Sequence, residues 1–364
     1  MLRAVIPVGG HEAYQQQRQK RFTYSPESLI NYTAYINRIS DITNYHCDYK
    51  PWKYQLEPNS SCNLSCQMCA VSTWDSQQRA ADLSLTSFRQ IIDENPALLE
   101  LNLCPLGEPL LRGDDFFAMC TYARSKEIWT RTVTNATLLH ANDNYKKLAF
   151  SNFNEVVISI DSFNKSTYES IRRGSKLSNV LRNIELLHGF YRNSDIPINT
   201  KLNAVLITEN KDSVDNIIQR AVDIGFSNIS ITIDAFNWGL DALDGLNVYS
   251  SNDDLYFNHL ADLWSTRGID VGFVTTTNKF HGSTSSLEDR CSWPFSAMYI
   301  GSDLRYPPCC HVGDPDVFEV NVPSSISTSP LAVWFSDQYS LFRQQHISQL
   351  DLPKVCKPCY VNNS

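Results

Sequence analysis

From Trp52 onward the hydrophobic positions fall into a two-part rhythm. Short runs of aliphatic and β-branched residues alternate with longer segments whose apolar positions recur at helical spacing. The runs predict strands at Lys53–Leu56, Leu99–Leu103, Thr130–Thr134, Glu155–Ile160, Thr200–Ile207 and Asn228–Ile233. The segments predict helices at Leu85–Asn95, Asp115–Ser125, Ser166–Arg173, Val180–Tyr191 and Ser213–Ile224. Parallel neighbours need a crossover connection, so this alternation implies βαβ units. Six such units in roughly 200 residues predict an α/β fold, a partial (β/α)6 TIM-like barrel, whose site gathers at the C-terminal ends of the strands.

The rhythm has edges. The first 50 residues are mixed and polar, with one helix-like stretch at Pro26–Ile39 and no assignable chemistry. After about Ala235 the pattern fades, and Phe236–Gly245 and His281–Ser286 read as loops. From Leu287 the chain is rich in Cys, Pro and Asp, as in a small domain stapled by something other than a large core. The expected organisation is an N-terminal extension (1–50), a core (51–250), a linker (251–286) and a small C-terminal domain (287–364).

Composition narrows the function classes. With 364 residues, 42% hydrophobic and 19% charged, the chain is an ordinary globular one. A net charge of −8 argues against a non-specific nucleic-acid surface, which needs a basic patch. No apolar run approaches the about 18 residues of a spanning helix, and the N-terminus lacks a signal-peptide core. The expectation is a cytoplasmic protein with no nucleic-acid and no membrane partner. Eleven cysteines then point to metal or redox chemistry more than to disulfides.

Their spacing carries the reading. Cys62, Cys66 and Cys69 sit on a loop just after the Lys53–Leu56 strand. Three thiolates can hold three irons of a cubane and leave the fourth open for an exogenous ligand. A structural zinc usually takes two pairs of ligands, and no fourth ligand is local here. Farther on, Leu106-Gly107-Glu108-Pro109 follows the second strand. A glycine lets backbone approach a ligand, and a carboxylate accepts from an ammonium; a plain glycine turn is the alternative. Thr134-Asn135-Ala136 ends the third strand, where Asn135 can also cap a turn. Ser159 and Asp161 share a face of the fourth strand, with Asp161 also a candidate helix cap. Arg172, on the next helix, can clamp a carboxylate, while Arg173 suits a solvated face.

Together these motifs resemble the radical S-adenosylmethionine (SAM) superfamily, whose hallmark CxxxCxφC is matched with Met68 at φ. Leu56-Glu57-Pro58-Asn59 and Cys62-Asn63 resemble it too, and the resemblance runs from about Trp52 to the C-terminus. It implies a SAM-binding [4Fe-4S] cluster on Cys62, Cys66 and Cys69. It also implies Met68 near the adenine, Gly107 and Glu108 on the methionine amino group, and Asn135 beside the cofactor. Ser159 and Arg172 would take its carboxylate or ribose. Two positions depart from the pattern: Pro105 where many relatives have Gly, and Ala136 in place of Gly.

The tail adds Cys291, Cys309, Cys310, Cys356 and Cys359. Their order resembles the SPASM and "twitch" iron–sulfur extensions of that superfamily, in the single-cluster version. The resemblance implies an auxiliary [4Fe-4S] cluster on Cys291, Cys309, Cys356 and Cys359, with Cys310 as the alternative to Cys309. Cys104 can face the site or be inert; Cys47 and Cys120 read as structural. The implied activity is reductive cleavage of SAM to a 5′-deoxyadenosyl radical, which abstracts a substrate hydrogen atom. The expected outcome is oxidation or epimerisation of a small polar molecule such as a sugar or aminocyclitol, as in 2-deoxy-scyllo-inosamine dehydrogenases. Modification of a ribosomally made peptide, as by SPASM maturases, is the alternative. A flavodoxin or ferredoxin-type electron donor is implied in either case, and no catalytic base is assigned.

Overall fold

The computed structural model describes residues 10–40, 42, 46–73, 81–104, 106–235, 237–238, 240–250, 253–275, 290–320 and 329–360. Pro105 and the loop His281–Ser286 therefore lie outside the described residues.

The runs read as strands are strands: β1 (Lys53–Leu56), β3 (Glu100–Leu103), β4 (Trp129–Thr134), β5 (Glu155–Ser159), β7 (Thr200–Val205) and β8 (Asn228–Thr232). Two short pieces, β2 (Ser65–Cys66) and β6 (Arg172–Arg173), pair antiparallel with each other. Two further strands extend the sheet, β9 (Asp270–Val274) and β10 (Ala297–Ile300). The sheet order is β10-β1-β3-β4-β5-β7-β8-β9, parallel throughout. Among the described residues β9 and β10 form no ladder with each other, so the barrel is open and partial. The crossover helices cover its outside through apolar stripes; Val214, Ile217, Ile218 and Ala221 of helix Val214–Asp223 are all buried.

The structure corrects the expected boundaries. The segment read as a linker, 251–286, holds a helix, Asp254–Ser265, and β9, so the βα rhythm runs on past Ala235. Phe257, Leu260 and Trp264 give that helix its buried stripe. The tail is not held without a core either: β10 is buried at all four positions and lies beside β1. Trp334, Tyr339 and Phe342 join the main hydrophobic core. A four-residue apolar run carries too little periodicity to be told from a loop or a helix turn by sequence.

Residues 10–40 also gain a role. Helices Gly10–Tyr24 and Pro26–Ile39 pack at the N-terminal ends of the strands. The buried Arg21 guanidinium donates to the carbonyls of Leu98 (2.8 Å), Lys126 (2.6 Å) and Pro96 (2.6 Å), which precede β3 and β4. Tyr14 donates to Glu100. Glu100 also pairs with Lys53 at 3.3 Å, and Arg131 with Glu155 at 2.6 Å, from neighbouring strands. This end is a closed, charged floor, which leaves the opposite end for chemistry. Among the described residues no helix is long and apolar enough to cross a membrane.

Candidate functional site

The loop Cys62–Cys69 crosses the C-terminal ends of the strands and is fixed there by its own backbone. Cys66 pairs with Arg172 and Ser65 with Arg173 in the β2–β6 ladder. Gln67 N donates to Ile171 O at 2.9 Å, and Cys69 N to Cys66 O at 3.2 Å. Burial raises all three thiols, Cys62 to about 11 and Cys69 to about 12, and they also act on each other electrostatically. Three neighbouring half-buried thiols whose anions are disfavoured fit a bound cationic metal centre, which reverses that cost. Among the described residues no three His, Cys, Asp or Glu side chains could hold a single metal ion together. Thiolates on separate irons of a cubane stand farther apart than the ligands of one ion.

Gly107 is obligatory for a reason other than ligand approach. A Cβ there would lie 2.0 Å from the carbonyl oxygen of Ser61. Its absence lets the Gly-Glu loop press on the cysteine loop, where Glu108 N donates to Ser61 O at 2.8 Å. Asn59 Nδ2 donates to Glu108 O at 3.1 Å and to Ser61 O at 3.0 Å, closing the seam. Glu57 reinforces it from below, accepting from Leu106 N (3.4 Å), Tyr299 Oη (2.5 Å) and Ser302 N (3.3 Å).

The Glu108 carboxylate is 1% exposed. Oε1 accepts from Thr134 Oγ1 (2.6 Å) and Leu110 N (3.3 Å), and Oε2 from Asn135 N (2.8 Å). Burial outweighs these bonds and pushes its pKa up to about 7. A carboxylate so placed fits an ammonium ligand that restores its charge. Asn135 does cap a turn, since Oδ1 accepts from Thr137 N at 2.9 Å. Its Nδ2 also donates to Asn63 Oδ1 (3.0 Å), tying β4 to the cysteine loop. Ala136 stands at φ +61°, which explains why a glycine suits this position.

Arg172 and Asp161 form a buried ion pair, Nε to Oδ2 at 2.6 Å. Asp161 Oδ1 also accepts from Val205 N at 2.9 Å. Asp161 is therefore no helix cap; Asn164 caps helix Lys165–Ile171 by accepting from Thr167 N. Among the described residues no side chain bonds the two terminal nitrogens of Arg172, and none bonds the Ser159 hydroxyl at the end of β5. Arg173 is exposed, as a solvated face requires.

Met68 is buried in a small cluster with Ile171, Ile207 and Ala235, and its carbonyl accepts from Trp238 Nε1 at 2.7 Å. It lines a cavity of about 200 Å³ together with Thr232, Trp238, Cys310 and His311. Cys291, Cys309, Cys356 and Cys359 line a second cavity, with His311 on both walls. Burial raises all four thiols, and the charges of neighbouring cysteines add to it, Cys310 acting on Cys309. Of the two neighbouring cysteines, Cys309 lines the cavity of the tail thiols and Cys310 the one beside Met68, and the charges of both act on Cys359. Cys104 lies within electrostatic reach of Cys310, while Cys120 is buried and donates to Ser151 O at 3.2 Å. Cys47 Sγ bonds the Tyr49 carbonyl at 3.4 Å. Sequence reasoning passed over Thr134, Trp238 and His311. Thr134 and Trp238 sit at or just past strand C-termini, and that position was the available signal.

Residues 56–221 match the family model described as the Radical SAM superfamily. The chain is 28% identical over 177 residues to an S-adenosylmethionine-dependent nucleotide dehydratase of Selenomonas ruminantium, covering 48% of this chain and 63% of that one. It is 26% identical over 191 residues to mycofactocin maturase MftC of Mycolicibacterium smegmatis, covering 51% and 46%. It therefore spans less than two thirds of either relative's length. The structure of Streptococcus suis SuiB bound to S-adenosylmethionine aligns with a TM-score of 0.63 at 16% identity, over 80% of this chain and 68% of that one. That of anSMEcpe with AdoMet and a Cp18Cys peptide aligns at 0.60 and 17%, over 85% and 86%. At such identities the likeness concerns the fold.

Proposed function

We propose, for a chain that carries a radical SAM domain and is an enzyme of that superfamily, the net oxidation of a small polar substrate such as a sugar or aminocyclitol. The superfamily uses a [4Fe-4S] cluster and SAM. In this reading Cys62, Cys66 and Cys69 hold that cluster, and Glu108 takes the amino group of SAM. Asn135 holds the turn beside it. Arg172, with Nε occupied by Asp161, keeps two nitrogens for the carboxylate. Ser159 serves the ribose and Met68 the adenine. When bound, cluster and cofactor supply the 5′-deoxyadenosyl radical that takes a hydrogen atom from substrate. Cys291, Cys309, Cys356 and Cys359 hold an auxiliary cluster.

One observation carries the oxidation. The cavity beside Met68 and the cavity of the four tail thiols share His311 as a wall. A substrate in the first cavity lies one residue layer from an electron acceptor in the second. Thr232 and His311 bring polar groups to its wall. A flavodoxin or ferredoxin-type protein supplies the reducing electron. Peptide maturation is the second reading, favoured by the 26% identity to mycofactocin maturase.

The test is anaerobic. The reconstituted chain, reduced with dithionite, is expected to form 5′-deoxyadenosine, and to do so faster with members of a panel of sugars and aminocyclitols than with peptides. Oxidised product is lighter by two hydrogens. A stimulated, mass-neutral product shifts the reading to epimerisation, and turnover of peptides alone overturns the small-molecule assignment.

A further inference from the structure

Two ring nitrogens line the cavity of the tail thiols without a partner. The Trp293 indole Nε1 is shielded from solvent and bonds to nothing among the described residues. An indole nitrogen can only donate, so it implies an acceptor. The His346 ring is 1% exposed, and its Nε2 is likewise unpartnered. Its other nitrogen, Nδ1, lies 2.7 Å from Tyr360 Oη, and that oxygen accepts from Cys291 N at 3.2 Å. With the Tyr360 hydroxyl proton directed at Nδ1, the neutral imidazole keeps its own proton on Nε2. Buried donors with no acceptor are costly, about 1–3 kcal/mol each, and natural structures rarely leave them so. Two around a single cavity indicate what belongs there: a compact group rich in acceptors.

We propose that Trp293 Nε1–H and His346 Nε2–H donate hydrogen bonds to sulfur atoms of the auxiliary cluster and raise its reduction potential. The inference rests on the reading that Cys291, Cys309, Cys356 and Cys359 hold that cluster. N–H donors stabilise the extra negative charge of the reduced state, and hydrogen bonds to the sulfurs are among the levers that set such potentials. A cluster that must accept an electron from substrate needs that upward shift. Trp293 and His346 are thus positioning and tuning residues, not ligands.

The experiment uses the full chain in a Cys62→Ala/Cys66→Ala/Cys69→Ala background, where any iron belongs to the tail. About four iron per chain is expected there. A background without iron refutes the cluster reading itself. Trp293→Phe and His346→Phe keep an aromatic ring at each position and remove the donor. Each is expected to retain the iron and to move the midpoint in an EPR-monitored redox titration to more negative values, with a larger shift in the double variant. An unmoved midpoint at full iron content overturns the inference, and so does loss of iron in His346→Phe, which would make His346 a ligand. The unmutated chain provides an independent reading free of any folding effect. With 15N-labelled tryptophan and histidine, pulsed EPR of its reduced auxiliary cluster is expected to show weak nitrogen couplings. No coupling, or the strong coupling of a directly bound nitrogen, overturns the assignment.

Discussion

The two cysteine groups are assembled in opposite ways. Cys62, Cys66 and Cys69 lie within eight residues of chain. Their loop is held by contacts that the neighbouring strand ends supply: the β2–β6 ladder, the Gly107 seam and the Asn63–Asn135 bond. Cys291, Cys309, Cys356 and Cys359 come from a stretch nearly seventy residues long. They meet only because β10 joins the sheet beside β1 and helix Asp337–Ser348 packs over it. The first group is a local motif placed on a scaffold; the second is a product of the fold. The difference teaches where each is vulnerable, to loss of a single contact in the first case and to loss of packing in the second.

The largest expected effect separates the groups outright. Replacing Cys62, Cys66 and Cys69 with Ala should halve the iron from about eight per chain and abolish 5′-deoxyadenosine formation. Cys356→Ala/Cys359→Ala should also lose about half, yet still cleave SAM with a strong reductant while failing to give oxidised product. Circular dichroism must first show the second variant folded, because a metal contributes folding energy to the segment it staples. Parent-rate product from the folded variant would reduce the tail site to a structural role.

Breaking the ion pair behind the first group comes next. Asp161→Ala strands the buried Arg172 cation, and loss of one partner of a buried pair costs about 3–5 kcal/mol. Denaturant unfolding should register it, and a change below about 1 kcal/mol would mean the pair is solvated.

Glu108 sharpens the comparison through the cofactor. Glu108→Ala should weaken SAM binding by about 1.5–3 kcal/mol, roughly ten- to a hundred-fold, with both clusters intact. Its pH dependence has a definite sign. Burial raises the folded-state pKa to about 7, so in the ligand-free protein this group contributes stability that is fully present below the ordinary carboxylate range and is lost as pH rises through about 7. An ammonium ligand prefers the carboxylate, so affinity should climb with pH up to about 7 and then level off. Glu108→Gln should flatten that profile in calorimetric titrations.

The smallest effect is at Ala136. Its φ of +61° carries the left-handed cost, of order 1–2 kcal/mol. Ala136→Gly should raise the thermal midpoint by a few degrees without changing cofactor affinity. A fall instead would show that the Ala136 methyl, which is fully buried, packs for more than the strain costs.

The amino-acid sequence by itself determined the six central strands nearly to the residue, the positions of the helices between them, and the first cysteine group with its neighbours Gly107 and Glu108. These are encoded by period and spacing within short windows, where local physics acts alone. Tertiary structure decided what depends on distant partners. It inserted β9 and β10 at the edges of the sheet, because their short runs become strands only against an existing edge. It chose Asp161 as the partner of Arg172 and left helix capping to Asn164. It set Cys309 in the lining of one cavity and Cys310 in that of the other, which no spacing rule separates since both fall at the same place in the count. And it brought His311 between two cavities and Trp293 and His346 to one, because burial and hydrogen-bond satisfaction are properties of a packed neighbourhood and not of a stretch of chain.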